Sequence, residues 1–242
     1  MSRSGLFAMY NNNTDAFSTA ASIYYGLFSM QHRGMDATGI CINQNGQFKY
    51  KKEDGMVIDV FDENLLSRME GHAGIGHVLH SNRSDVREYA QPIVIRYTSG
   101  QMAVALNGGL VNTEELRKEL ELQGAVFQTS DDAEIISVLI SRARNRFETI
   151  EEAIADIMPK LRGAYALLVM TPRKIIGVRD SLGMKPLILG KKRNSLYFSS
   201  ETCIYNELDV EVIREVMPGE IVTINQDGIK SFQQIHEEKR AL

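Results

Sequence analysis

The sequence holds no tryptophan, two cysteines, five prolines and five histidines in 242 residues, and carries no excess of positive charge. Each shortage excludes something. Cys41 and Cys203 cannot build a disulfide framework, and both sit in small or apolar surroundings. They read as strand-core residues of a protein kept in a reducing compartment. No Cys/His spacing suggests a metal site, so neither a metal nor another cofactor is expected. A net charge of −4 with no dense basic run argues against a nucleic-acid surface. The densest basic cluster, Lys191-Lys192-Arg193, runs into Asn194 and reads as a hairpin turn with a solvated face. No run approaches ~18 apolar residues, and no cationic segment with an apolar core opens the chain. A soluble, cytoplasmic protein is expected, with no membrane contact.

What is present is ordinary globular composition, 43% hydrophobic and 24% charged, in a chain long enough to bury a core without staples. No repeat or linker divides it, so residues 1–242 are expected to form a single domain, with 233–242 as a polar tail that docks weakly or frays. Residues 5–10 form a short apolar strand. Apolar residues at Ala20, Ile23, Leu27 and Met30 predict an amphipathic helix over 16–31, capped by Thr14 or Asp15 and ended by Gln31-His32-Arg33-Gly34. Strands are expected at 38–42, 47–51, 73–78, 93–96 and 102–106, with Asn45-Gly46 as a tight turn. Three helices follow: 113–123 with Thr113 as N-cap, 133–147 with Asp131 and Glu134 at capping-box spacing, and 151–161. The remainder alternates strands and turns. Helices grouped in two places between long runs of strands predict two sheets face to face with helices outside, an α+β sandwich.

Several stretches stand out for chemistry. Ser4-Gly5-Leu6-Phe7 opens the first strand; Gly76-His77-Val78-Leu79-His80 ends another. Leu106-Asn107-Gly108-Gly109 turns sharply after a strand, and Ser130-Asp131-Asp132-Ala133-Glu134 starts a helix. With Gln31-His32-Arg33-Gly34, Ala90-Gln91-Pro92, Arg179-Asp180-Ser181-Leu182-Gly183-Met184-Lys185-Pro186-Leu187 and Met217-Pro218-Gly219-Glu220, they resemble the glutaminase domain of class II glutamine amidotransferases. These are the N-terminal nucleophile (Ntn) hydrolases, and the amidophosphoribosyltransferase group is the most similar. The resemblance runs nearly end to end and implies a four-layer αββα sandwich.

That family attacks the amide of glutamine with an N-terminal cysteine whose own free α-amine takes the proton. The resemblance places Ser4 at the nucleophile, Asn107 and Gly108 at the oxyanion hole, Arg33 at the wall of the glutamine site, and Asp132, with Asp131 as its rival, at the α-amino group. Each has a plainer reading: Asn107-Gly108 as a turn, Arg33 as a helix C-terminal cation, Asp131 or Asp132 as a helix cap. His77 reads as a satisfied core histidine. The departures are chemical. Ser4 is a hydroxyl, and its nitrogen is tied to Arg3 in a peptide bond, so it cannot serve as base. Leu79 stands where the family has an arginine for the substrate carboxylate, and His80 where it has an aromatic; Arg83 lies a few residues on.

The phosphoribosyltransferase half of that family has an acidic pair before a phosphate loop, and no such segment occurs. The expectation is therefore a stand-alone glutaminase-type domain that has lost its chemistry and serves as a binding or regulatory subunit. It would pair with a phosphoribosyltransferase or other synthase subunit, or with a second copy, and take glutamine or a related small amide. The alternative is an active amidohydrolase that uses Ser4 after removal of residues 1–3 and supplies ammonia to a partner synthase.

Overall fold

The computed structural model describes residues 3–12, 18–82 and 84–233. In chain order the elements are β1 (Arg3–Tyr10), α1 (Thr19–Ser29), β2 (Ala37–Gln44), β3 (Gln47–Asp54), α2 (Val57–Val60), α3 (Glu63–Ser67) and β4 (Ala73–His80). Then come β5 (Ile93–Tyr97), β6 (Gly100–Leu110), α4 (Thr113–Leu122), α5 (Asp132–Ala143) and α6 (Ile150–Ile157). The last are β7 (Gly163–Met170), β8 (Ile175–Arg179), β9 (Ile188–Lys192), β10 (Ser195–Ser199), α7 (Cys203–Glu207), β11 (Glu211–Glu215), β12 (Glu220–Asn225) and β13 (Gly228–Gln233).

The strands form two sheets, of seven in the order β11-β9-β10-β1-β4-β2-β3 and of six in the order β13-β12-β8-β7-β6-β5. Period-two alternation in β1 explains the layering. Leu6 and Ala8 join the core between the sheets with Ile75, Ala105, Leu168 and Phe198. Phe7 and Met9 point the other way, against Ile23 and Leu27 of α1. On the far side, Leu106 and Leu167 of the six-stranded sheet meet Ile136 and Ile140 of α5 and Ile154 of α6. The result is helix, sheet, sheet, helix: the αββα sandwich of the Ntn hydrolases. Gly26 sets the distance of the first helix. A Cβ there would sit 2.7 Å from the Phe7 ring, so only glycine lets α1 lie directly on β1.

Local chemistry shifts several boundaries. Ser18 caps α1, its side chain accepting from the Ala21 amide at 3.1 Å; the expected caps Thr14 and Asp15 lie outside the described residues. The helix ends at Ser29, and Gln31–Arg33 is a separate 3-10 turn. Asn112, not Thr113, is the N-cap residue of α4, but its side chain leaves the helix to hold Lys160 and Arg162. Thr113 instead donates to Asp132. Asp131 caps α5 as expected. The capping box with Glu134 does not close, because Glu134 accepts from Gln128 and Thr129. Cys41 is buried in β2, whereas Cys203 is exposed at the start of α7 and is not a strand-core residue. Residues 234–242 of the expected tail lie outside the described residues. No helix among the described residues is long and apolar enough to cross a membrane.

Candidate active site

Ser4 sits inside β1, 1% exposed. The β1–β4 ladder sets Ser4 opposite Leu79 and Arg3 opposite His80, so the strand continues through Ser4. The Ser4 carbonyl accepts from Arg33 Nε at 2.8 Å. Arg33 also donates to Glu201 at 2.5 Å, and His32 Nε2 lies 2.9 Å from the same carboxylate. Arg33 therefore clamps the backbone of the nucleophile position and does not line the cleft that Ser4 faces.

That cleft has a volume of about 430 Å³. Ser4 and Leu79 form the wall from the seven-stranded sheet; Leu106, Gly108 and Leu110 come from β6. Thr113, Glu114 and Arg117 come from α4, Ser130, Asp131 and Asp132 from the entry to α5, and Ser81, Tyr89 and Gln91 from the connection after β4. The sequence signals of β1, β4, β6 and α5 thus meet at one place, although they span residues 4 to 132.

Both candidate acids line the cleft, and each is already engaged. Asp132 accepts from the Leu110 amide at 2.8 Å and from Thr113 Oγ1 at 2.7 Å, one bond to each oxygen. Asp131 accepts from the Ala133 amide at 2.7 Å and from Gln91 Nε2 at 3.0 Å. Burial pushes the Asp131 carboxyl up to about 6, against these hydrogen bonds, which favour the anion. An amine bound here could use the lone pairs that remain on either residue.

The oxyanion pair is split. Gly108 lines the cleft with φ +114°, and a Cβ there would lie 2.0 Å from the Ala164 carbonyl, so the position demands glycine. Asn107 is fully buried and outside the lining; its Nδ2 reaches only Ser200 Oγ, at 3.4 Å, and its Oδ1 has no partner among the described residues. His77 is buried, with Nε2 3.2 Å from the Leu106 carbonyl, but Nδ1 has no partner among the described residues, so it is only half satisfied. Desolvation holds its pKa down to about 3, which keeps the ring neutral. His80 turns outward and pairs with Asp36 at 2.7 Å, away from the cleft. Arg83 lies outside the described residues.

Gln91 and Arg117 are among the lining residues that escape sequence reasoning. Gln91 bridges Asp131 to the β6 backbone, accepting from the Leu106 amide at 2.6 Å. Its only local signal is the Ala90-Gln91-Pro92 stretch. Arg117 flanks the buried Leu116 of α4; it donates to the Thr129 carbonyl at 2.9 Å, and its guanidinium lies 4.3 Å from the Phe127 ring centre. Nothing in the helical spacing marks it.

A cleft with a hydroxyl at one wall, a glycine backbone beside it and carboxylates opposite has the parts for binding a small amide bearing an amine. Residues 78–206, just over half the chain, match the glutamine amidotransferase domain model. The chain is 40% identical over 230 residues to an amidophosphoribosyltransferase of Methanocaldococcus jannaschii, covering 95% of this chain and 48% of that one. It is 38% identical over 210 residues to the Bacillus subtilis amidophosphoribosyltransferase, covering 86% and 44%. The solved glutamine phosphoribosylpyrophosphate amidotransferase of B. subtilis, complexed with ADP and GMP, superposes with a TM-score of 0.87 at 35% identity, over 95% of this chain and 49% of that one. The chain spans about half the length of the curated relatives it matches. It belongs to the glutamine amidotransferase domain family.

Proposed function

We propose that this chain is a glutaminase-type domain that binds a small amide or amino acid without hydrolysing it. It would act as a binding or regulatory subunit beside a phosphoribosyltransferase or another synthase. The observation that carries this reading is the run of β1 through Ser4. With Arg3 in the ladder opposite His80, the Ser4 nitrogen is a peptide amide. An amide nitrogen has no basic lone pair, so the hydroxyl has no base of its own to activate it. Losing an activated nucleophile costs ~10³–10⁶ in rate. Leu79 at the cleft wall adds a second loss, since an apolar side chain cannot pair with a carboxylate. Removing one partner of a buried charge pair costs ~2–5 kcal/mol. The neighbouring Asn107 side chain is buried and is not part of the cleft lining. The kinship with amidophosphoribosyltransferases supports a phosphoribosyltransferase as the partner and purine synthesis as the setting.

A stepwise reconstruction tests the reading. The chain starting at residue 4 with Ser4→Cys should gain ammonia release from glutamine over the parent chain, and adding Leu79→Arg should lower the KM for glutamine. An unmodified chain that already hydrolyses glutamine would overturn the proposal. Ser4 lining the cleft beside Gly108 is the one feature that favours that outcome, through a chain cleaved between Arg3 and Ser4.

A further inference from the structure

The cleft has Leu79 where the resemblance implies a cation, yet it is not without one. Arg117 is the only basic residue among the described residues that line it. The side chain takes part in none of the ion pairs formed among the described residues. Uncharged groups hold it instead: the Thr129 carbonyl at 2.9 Å and the Phe127 ring at 4.3 Å. A guanidinium carries five N–H donors in a planar fork, and a single carbonyl leaves the fork able to take a carboxylate side-on. Stacking on Phe127 restricts its rotamers before any ligand arrives, which reduces the ordering cost of binding.

Around it the charges have the opposite sign. Glu114 stands one turn earlier on α4, and Asp131 and Asp132 face the same cavity. Asp132 spends one hydrogen bond on each oxygen and retains acceptor capacity. A cavity of about 430 Å³ with one unpaired guanidinium and this carboxylate group matches a small zwitterion.

We propose that Arg117 is the carboxylate-recognition residue of this cleft, for the free α-amino acid whose ammonium the family resemblance already assigns to Asp132. This rests on the reading of the cleft as a binding site that has lost hydrolysis. The carboxylate is then anchored on the α4 wall instead of the sheet wall, where Leu79 faces it with apolar surface.

Calorimetric titration of the full chain with L-glutamine and with its α-carboxamide, L-glutaminamide, tests this directly. The unmodified chain should bind the carboxylate form about 30-fold more tightly, the lower end of what a desolvated charge pair contributes. Arg117→Ala should remove that preference by weakening L-glutamine alone; Arg117→Met, which keeps an apolar stem against Phe127, should do the same if the alanine variant misfolds. Equal affinity of the unmodified chain for both ligands, binding of neither, or equal weakening of both by Arg117→Met would overturn the assignment, the last by making Arg117 a loop tether only. Ammonia release, followed in the same samples, reports separately on the loss of hydrolysis.

Discussion

Buried titratable groups around the cleft give this protein a definite acid response. Desolvation keeps His77 neutral, with a pKa near 3 against an ordinary 6.5. Between these values the unfolded chain binds a proton that the native chain does not, so His77 removes stability as pH falls from 6.5 toward 3. Asp131 acts in the other direction. Its folded pKa of about 6 lies above the ordinary 3.8, so the native state takes up a proton first and gains stability as pH falls through 6 toward 4. The two partly cancel between pH 4 and 6. Urea melts across pH 4 to 7 should show a shallow net loss of stability on acidification in the unmodified chain. Asp131→Asn should make that loss steeper, because the opposing Asp131 contribution is removed. An unchanged slope would mean that Asp131 already titrates near its ordinary value.

At the scale of elements, the site depends on how firmly β1 is gripped. Phe7 is wholly buried against α1, with the helix brought close by Gly26. Phe7→Ala should cost about 3–5 kcal/mol by thermal or denaturant melts, whereas Leu122→Ala, at 81% exposed, should stay within about 0.5 kcal/mol. Strand and helix periodicity made the layers legible in the sequence: Ala20, Ile23 and Leu27 are buried on one face of α1, and Met30 is buried just past its end, as their spacing demands. The two sheets and the three helices of the second group are where the pattern places them. What the pattern does not carry is pairing over long separations. Gln91 with Asp131, 40 residues apart, and Arg33 with Glu201, 168 apart, leave no local periodicity. The same holds for Arg117, which joins the cleft only because α4 and the entry to α5 fold against each other. Short elements fail for another reason: α7 has five residues, too few to show a helical period, so Cys203 reads as a strand residue until the fold exposes it.

At the scale of the whole molecule, the chain keeps the sandwich of its relatives, over about half their length. In the proposed account its cleft has changed from a reaction site to a binding site. That account rests on a Ser4 held inside a strand and a leucine at the cleft wall. The most direct measurement is ammonia release from L-glutamine by the purified chain, with the intact mass of the same sample recorded. The account predicts no release above background from a species that retains Arg3. Ammonia production by a species beginning at Ser4, abolished by Ser4→Ala, would contradict it and make this protein a serine-type Ntn amidohydrolase.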